Sequence, residues 1–90
     1  RGGIVPMVNE IFTSKFGNQL YKEKVPKTWI GETVGTVHCK LKEKYNAILV
    51  SIERTTEGKA ETLVNPTADG KLVQGDAIVY IAEKHLELNG

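Results

Sequence analysis

Cys39 is the chain's one cysteine, so no disulfide can close within these 90 residues, and the thiol count fits a reducing compartment. No apolar run approaches the roughly 18–20 residues that a membrane-crossing helix needs. Arg1-Gly2-Gly3 is polar and leads into no apolar h-region, so these residues are not expected to act as a secretory signal. Charge of one sign is lacking too. Twelve basic and eleven acidic side chains leave +1, and lysine and glutamate interleave at Lys22-Glu23-Lys24 and Lys42-Glu43-Lys44. No phosphate-tracking stripe results, which argues against nucleic acid and against an anionic membrane surface as partners. The chain begins without methionine and stops at Asn89-Gly90, so it reads as a piece of something larger, with any membrane part outside it.

Catalytic constellations are missing as well. The glycines form neither a dinucleotide fingerprint nor a phosphate loop. Ser14 and Ser51 sit in no Gly-x-Ser-x-Gly elbow. His38 and Cys39 are neighbours on an expected helix, so they project about 100° apart and cannot chelate one metal. His38 is expected beside the buried stripe, His85 on the surface, and Cys39 as a small core or half-buried residue. Glu53, Glu57 and Glu61 flank one hairpin and read first as a solvated rim, with a divalent-cation site as the sharper alternative. The expectation is no enzyme, no metal and no cofactor.

What is present is ordinary globular material: 40% hydrophobic and 26% charged residues, enough for one small domain. Ile4, Val8, Ile11, Phe12 and Phe16 recur at three- and four-residue steps, one face of a helix that Pro6 can start and Gly17-Asn18 can end. The expected organisation is a linker helix over 1–17 and a regulatory body over 18–90. In the body, Gln19 to Val25 alternates as a strand closed by Pro26. Trp29 is a packing anchor. Thr33 caps a helix with Val34, Val37, Leu41 and Tyr45 on one face, stopped by Asn46. Ala47 to Arg54 is a strand with Ile48, Val50 and Ile52 on one face. It turns through residues 55–59 into Ala60 to Val64, and Ala77 to Glu83 closes the sheet. The fold class is α+β: an amphipathic N-terminal helix, then a β-α-β-β-β body with a small, mostly antiparallel sheet.

Thr62 to Glu83 carries the most specific pattern. Asn65-Pro66 ends a strand, with the residue before proline expected extended. Gly70 and Gly75 are expected to supply backbone freedom for two turns. Gln74-Gly75-Asp76 then hands over to the apolar strand Ala77 to Ala82, which is apolar on both sides of the pleat and so expects cover on both faces. One helix covers one face. The other needs the N-terminal helix, a partner copy, or both.

The stretch LVNPTADGKLVQGDAIVYIAE, from Leu63 to Glu83, resembles the closing segment of the regulator-of-K+-conductance (RCK) C-terminal lobe, the TrkA-C domain. Residues 29–35 and 41–50 are similar to the same family's Gly-x-Thr, helix, Tyr, strand core, and the resemblance spans about Asn18 to Glu83. It implies a homodimeric regulatory lobe on the cytoplasmic side of a membrane K+ channel or uptake protein, coupling ligand binding to gating. Another transporter or a transcription regulator is the alternative host. In nucleotide-sensing members a cyclic dinucleotide lies on the two-fold axis, and the matching positions here are Leu41, Lys42, Tyr45, Asn46 and Ile48, with Asn65 and Pro66 nearby. Where those members carry an arginine, this chain has Lys42, which keeps the charge without the bidentate fork. A small anionic nucleotide or a divalent cation is the ligand class so implied.

Overall fold

A computed structural model describes residues 17–88. The N-terminal helix expected over 1–17 lies, except for Gly17, outside the described residues. Strand β1 (Gln19–Lys24) is followed by a 3-10 turn over Lys27–Trp29 and by helix α1 (Val34–Tyr45). Strands β2 (Ile48–Thr56), β3 (Lys59–Val64) and β4 (Ala77–Ala82) complete one sheet in the order β1-β4-β2-β3. All three pairings are antiparallel. The α+β class and the β-α-β-β-β order agree with the sequence.

Local chemistry explains most boundaries. Thr33 is extended, and its hydroxyl oxygen accepts the Thr36 N–H at 3.2 Å, while Asn46 closes α1 in the left-handed conformation. Glu57 (φ 53) and Gly58 (φ 80) form the two-residue turn between Thr56 and Lys59, where both central residues need positive φ. Gly75 (φ 90) uses a freedom that only glycine has cheaply. Gly70 does not: its φ is not positive, and it instead packs close to Thr67 and Val34. Asn65, expected extended before proline, has φ 49, and its N–H reaches the Val50 carbonyl at 3.0 Å. Asparagine tolerates the left-handed region well enough for that bond to decide the conformation.

The strand expectation for Ile48, Val50 and Ile52 also needs correction. Leu49 pairs with Tyr80 and Ser51 with Val79, so Val50 is the extra residue of a β-bulge. Beyond it the alternation shifts by one. Leu49 and Ile52 face inward with Ile78 and Tyr80, whereas Ile48 faces outward beside Ile81. The inner face of the sheet packs on α1 through Val34, Val37 and Leu41, with Trp29 and Leu72 completing the core. Residues 83–88 fold back over one end. Leu86 is buried there, its N–H donating to the Tyr80 hydroxyl at 2.9 Å.

The outer face is divided. Antiparallel register puts directly opposed residues on one side, so Leu20, Ile81 and Ile48 form a row across three strands. Ile81, an apparent core residue from sequence, is only half-buried, and Leu20, Ile48 and Val64 are among the exposed large hydrophobics. Further along, Lys22 and Glu53 form an ion pair at 2.6 Å on the same face, and Lys24 follows.

Candidate functional site

The link from β3 to β4 is built against the start of α1. The Val34 N–H donates to the Gly70 carbonyl at 2.7 Å and the Gly35 N–H to Ala68 at 2.9 Å. Gly31 N–H meets the Leu72 carbonyl, and Leu72 N–H returns to Glu32. Residues 68–72 thus run beside residues 31–35 almost as a strand. Gly35 keeps this approach uncrowded, since a Cβ there would stand 3.4 Å from both Ala68 Cβ and its carbonyl oxygen, a close but tolerable contact. Beneath the same link, the buried Asp76 carboxylate accepts from Arg54 Nε and from an Arg54 terminal nitrogen, each at 2.9 Å, and from the Val73 N–H at 2.9 Å. Arg54 also donates to the Lys71 carbonyl at 3.1 Å. The carboxylate's hydrogen bond, ahead of its charge, raises the Arg54 pKa above the ordinary guanidinium value.

Between α1 and this link lies a cleft of about 280 Å³, lined by Val34, Gly35, His38, Leu49, Asn65, Pro66 and Ala68. Its polar equipment is one imidazole and one amide. The first N–H groups of α1, the usual attraction of a helix start for anions, already donate to Gly70, Ala68 and Thr33. An anion here would therefore depend on side chains. His38 and Lys42 are exposed and one helical turn apart on the same flank, and Lys42 has no ion pair among the described residues. The neighbouring lysines are engaged: Lys40 reaches Glu32 at 3.0 Å and lies 5.0 Å from the Trp29 ring, and Lys44 lies 5.6 Å from the Tyr45 ring.

The residues singled out from sequence are divided by the fold. Asn65 and Pro66 line the cleft. Tyr45 and Asn46 line a separate depression of about 170 Å³ against Ala82, Glu83, Lys84 and Leu86. Leu41 is fully buried in the core, so its side chain is closed to any ligand. Lys42 stands on the open flank, and Ile48 belongs to the outer sheet face. The carboxylates of the hairpin do not converge. Glu61 opposes Arg54 on the inner side while Glu53 points outward to Lys22. Among the described residues no three acidic, histidine or cysteine side chains gather as a metal site. Cys39 is exposed rather than core, and His85, on the surface as expected, contacts Glu23 at 2.6 Å and the edge of Tyr21. The Arg54–Asp76 pair and the cleft wall at His38 escaped sequence reasoning. The Asp76 signal was an acid placed directly before a wholly apolar strand.

No protein-family model matches the sequence, and no curated protein matches it. Among solved structures, the fold is similar to the crystal structure of the GsuK RCK domain, with TM-score 0.59 and 20% identity over 79% of this chain. It is also similar to the human SLO3 gating ring, with TM-score 0.64 and 15% identity over 93% of this chain. The chain spans 14% and 15% of the lengths of those two chains. At such identities the likeness establishes the fold, an RCK-like α+β lobe. Among the described residues no helix is long and apolar enough to cross a membrane.

Proposed function

We propose that this chain is a regulatory lobe of a K+ channel, on the cytoplasmic side of the membrane, that pairs with a second copy and passes movement to a gate. The observation that carries the reading is the likeness to an RCK domain and to a gating ring, each of which it matches over a small part only. A lobe of this kind performs no bond chemistry. It acts through the difference in free energy that a bound ligand or partner makes between two arrangements. The pairing surface in this reading is the flank of α1 with His38, Lys42 and the cleft at Asn65-Pro66, and an anionic nucleotide would be held between two copies there. The TrkA-C relationship inferred from Asn65-Pro66 and Gly75-Asp76 belongs to the same reading.

Two measurements test it. Sedimentation equilibrium at micromolar concentration should give about twice the 9.9 kDa chain mass. A thermal-shift screen of cyclic dinucleotides, adenine nucleotides and divalent cations should find a ligand that raises Tm with ligand excess, because it binds the folded pair alone. Lys42→Glu should abolish that shift without lowering the ligand-free Tm. A monomer at high concentration sinks the pairing. A dimer with no ligand response leaves a clamp that transmits movement made elsewhere, a reading favoured by the already occupied N–H groups at the start of α1.

A further inference from the structure

Residues 83–88 form a strap across one end of the sheet, tied down at two points. Leu86 is buried, and its N–H donates to the Tyr80 hydroxyl at 2.9 Å. Beside it, His85 Nε2 stands 2.6 Å from a Glu23 carboxylate oxygen on β1, and its ring lies edge-on to Tyr21, with centroids 5.4 Å apart. Tyr21 and Tyr80 are themselves directly opposed across β1 and β4, their ring centroids 5.7 Å apart. Strap, β1 and β4 thus meet in one cluster of four side chains. We infer that His85 and Glu23 form a proton-operated latch: a protonated imidazole holds the strap closed, and loss of that proton frees the strap to open.

The groups around the imidazole are few in kind. β1 presents Tyr21 and Glu23, β4 presents the Tyr80 hydroxyl, and the strap itself carries Glu83, Lys84 and Glu87. Across the hollow beside Leu86 stands Tyr45 of α1, with Lys44 near its ring. Glutamates ordinarily titrate near about pH 4, and tyrosines and lysines near about pH 10, so histidine is the residue type here that changes charge between about pH 5 and 8. An imidazolium facing a carboxylate makes a charge-assisted hydrogen bond, whereas the neutral ring keeps at most an ordinary one. The latch therefore holds below the usual histidine range and weakens as pH rises through it. Both side chains are partly exposed, so solvent screens the pair and the closed-to-open ratio changes by about 2–5-fold. Opening lifts Leu86 from Tyr80 and widens the hollow at Tyr45, Asn46 and Ala82. One end of the sheet thereby responds to pH without any other ligand. The inference does not depend on pairing through the α1 flank, and the mass measurement above tests that pairing separately.

The test is hydrogen exchange of the Leu86 amide, followed by nuclear magnetic resonance on the full 90-residue chain and corrected for the intrinsic rate at each pH. Protection should be about 2–5-fold greater at about pH 5.5 than at about pH 7.5. His85→Gln and Glu23→Gln should each bring the acidic value down to the neutral one. At the neutral pH both variants should melt with the unaltered chain, which separates loss of the latch from loss of the fold. Leu86 protection that does not change with pH overturns the proposal. A pH dependence retained in either variant overturns it equally, because the proton then belongs to another group.

Discussion

Arg54 grips Asp76 with two parallel hydrogen bonds of 2.9 Å across 22 positions of sequence, joining β2 to the turn that launches β4. The Asp76 side chain has no solvent exposure, while Arg54 keeps 28%. Arg54→Met leaves a buried carboxylate with only the Val73 N–H, and should destabilise the chain by about 3 kcal/mol, the lower end for breaking a buried pair. Arg54→Met with Asp76→Leu should recover most of that loss, because no buried charge is then stranded. Urea unfolding at neutral pH measures both. A double variant no more stable than the single one would show that the pair does more than neutralise charge.

Ile52 is buried between β4 and α1, opposite Ile78. Ile52→Ala should cost about 2–5 kcal/mol. Lys42→Gln, on the open flank of α1, should change stability by less than about 0.5 kcal/mol. Equal denaturation midpoints for the two variants would contradict the inner-face assignment of Ile52.

Tyr80 gives the lobe an alkaline limit. Its buried ring raises the hydroxyl pKa, partly offset by the Leu86 N–H that it accepts, with Glu23 adding a smaller upward push. A folded pKa above the ordinary value of about 10 means that the folded state holds this proton more tightly than the unfolded chain does. Tyr80's contribution is therefore complete below about pH 10 and falls away as pH rises through the folded value. Tyr80→Phe should lose about 1 kcal/mol at pH 7, from the Leu86 bond, and should show a shallower decline in Tm between pH 9.5 and 11. An unchanged slope would place the alkaline limit elsewhere.

Thr33 is the cap of the helix that covers the sheet. Thr33→Ala should cost about 1 kcal/mol and Thr33→Ser much less, since serine keeps the acceptor for the Thr36 N–H. Circular dichroism melts of the three chains check the order. An alanine variant as stable as serine would mean that the Gly70 and Ala68 carbonyls hold the helix start unaided.

The sequence made much of this fold legible, and the exceptions have physical reasons. Thr33, Asn46, Pro26 and the Glu57-Gly58 turn mark their boundaries because each satisfies a local requirement of backbone geometry. Val50 defeated a period-two reading because a bulge is invisible to alternation: Ile48 and Ile52 are four apart yet face opposite ways. Asn65 departed from the usual residue before proline because its N–H had a carbonyl to meet on the bulge itself. At the candidate site, sequence located the strand end at Asn65-Pro66 but grouped it with Tyr45 and Asn46. Those residues line a different hollow. Leu41 looked usable by position, and its burial follows from the same 3.6-residue period that places Val34 and Val37 in the core.

Among the described residues, the order β1-β4-β2-β3 leaves β1 and β3 as the two open margins of the sheet. Each margin is guarded by charge: Lys22, Glu23 and Lys24 along β1, Lys59 and Glu61 along β3, with Pro66 just past the end of β3. Such margins resist continuation by a foreign strand, because charged side chains and a missing donor deny the newcomer a ladder. Copies of this lobe are therefore steered away from joining margin to margin into a growing ribbon, and any finite assembly they form is left to broad surfaces and to the flank of the helix.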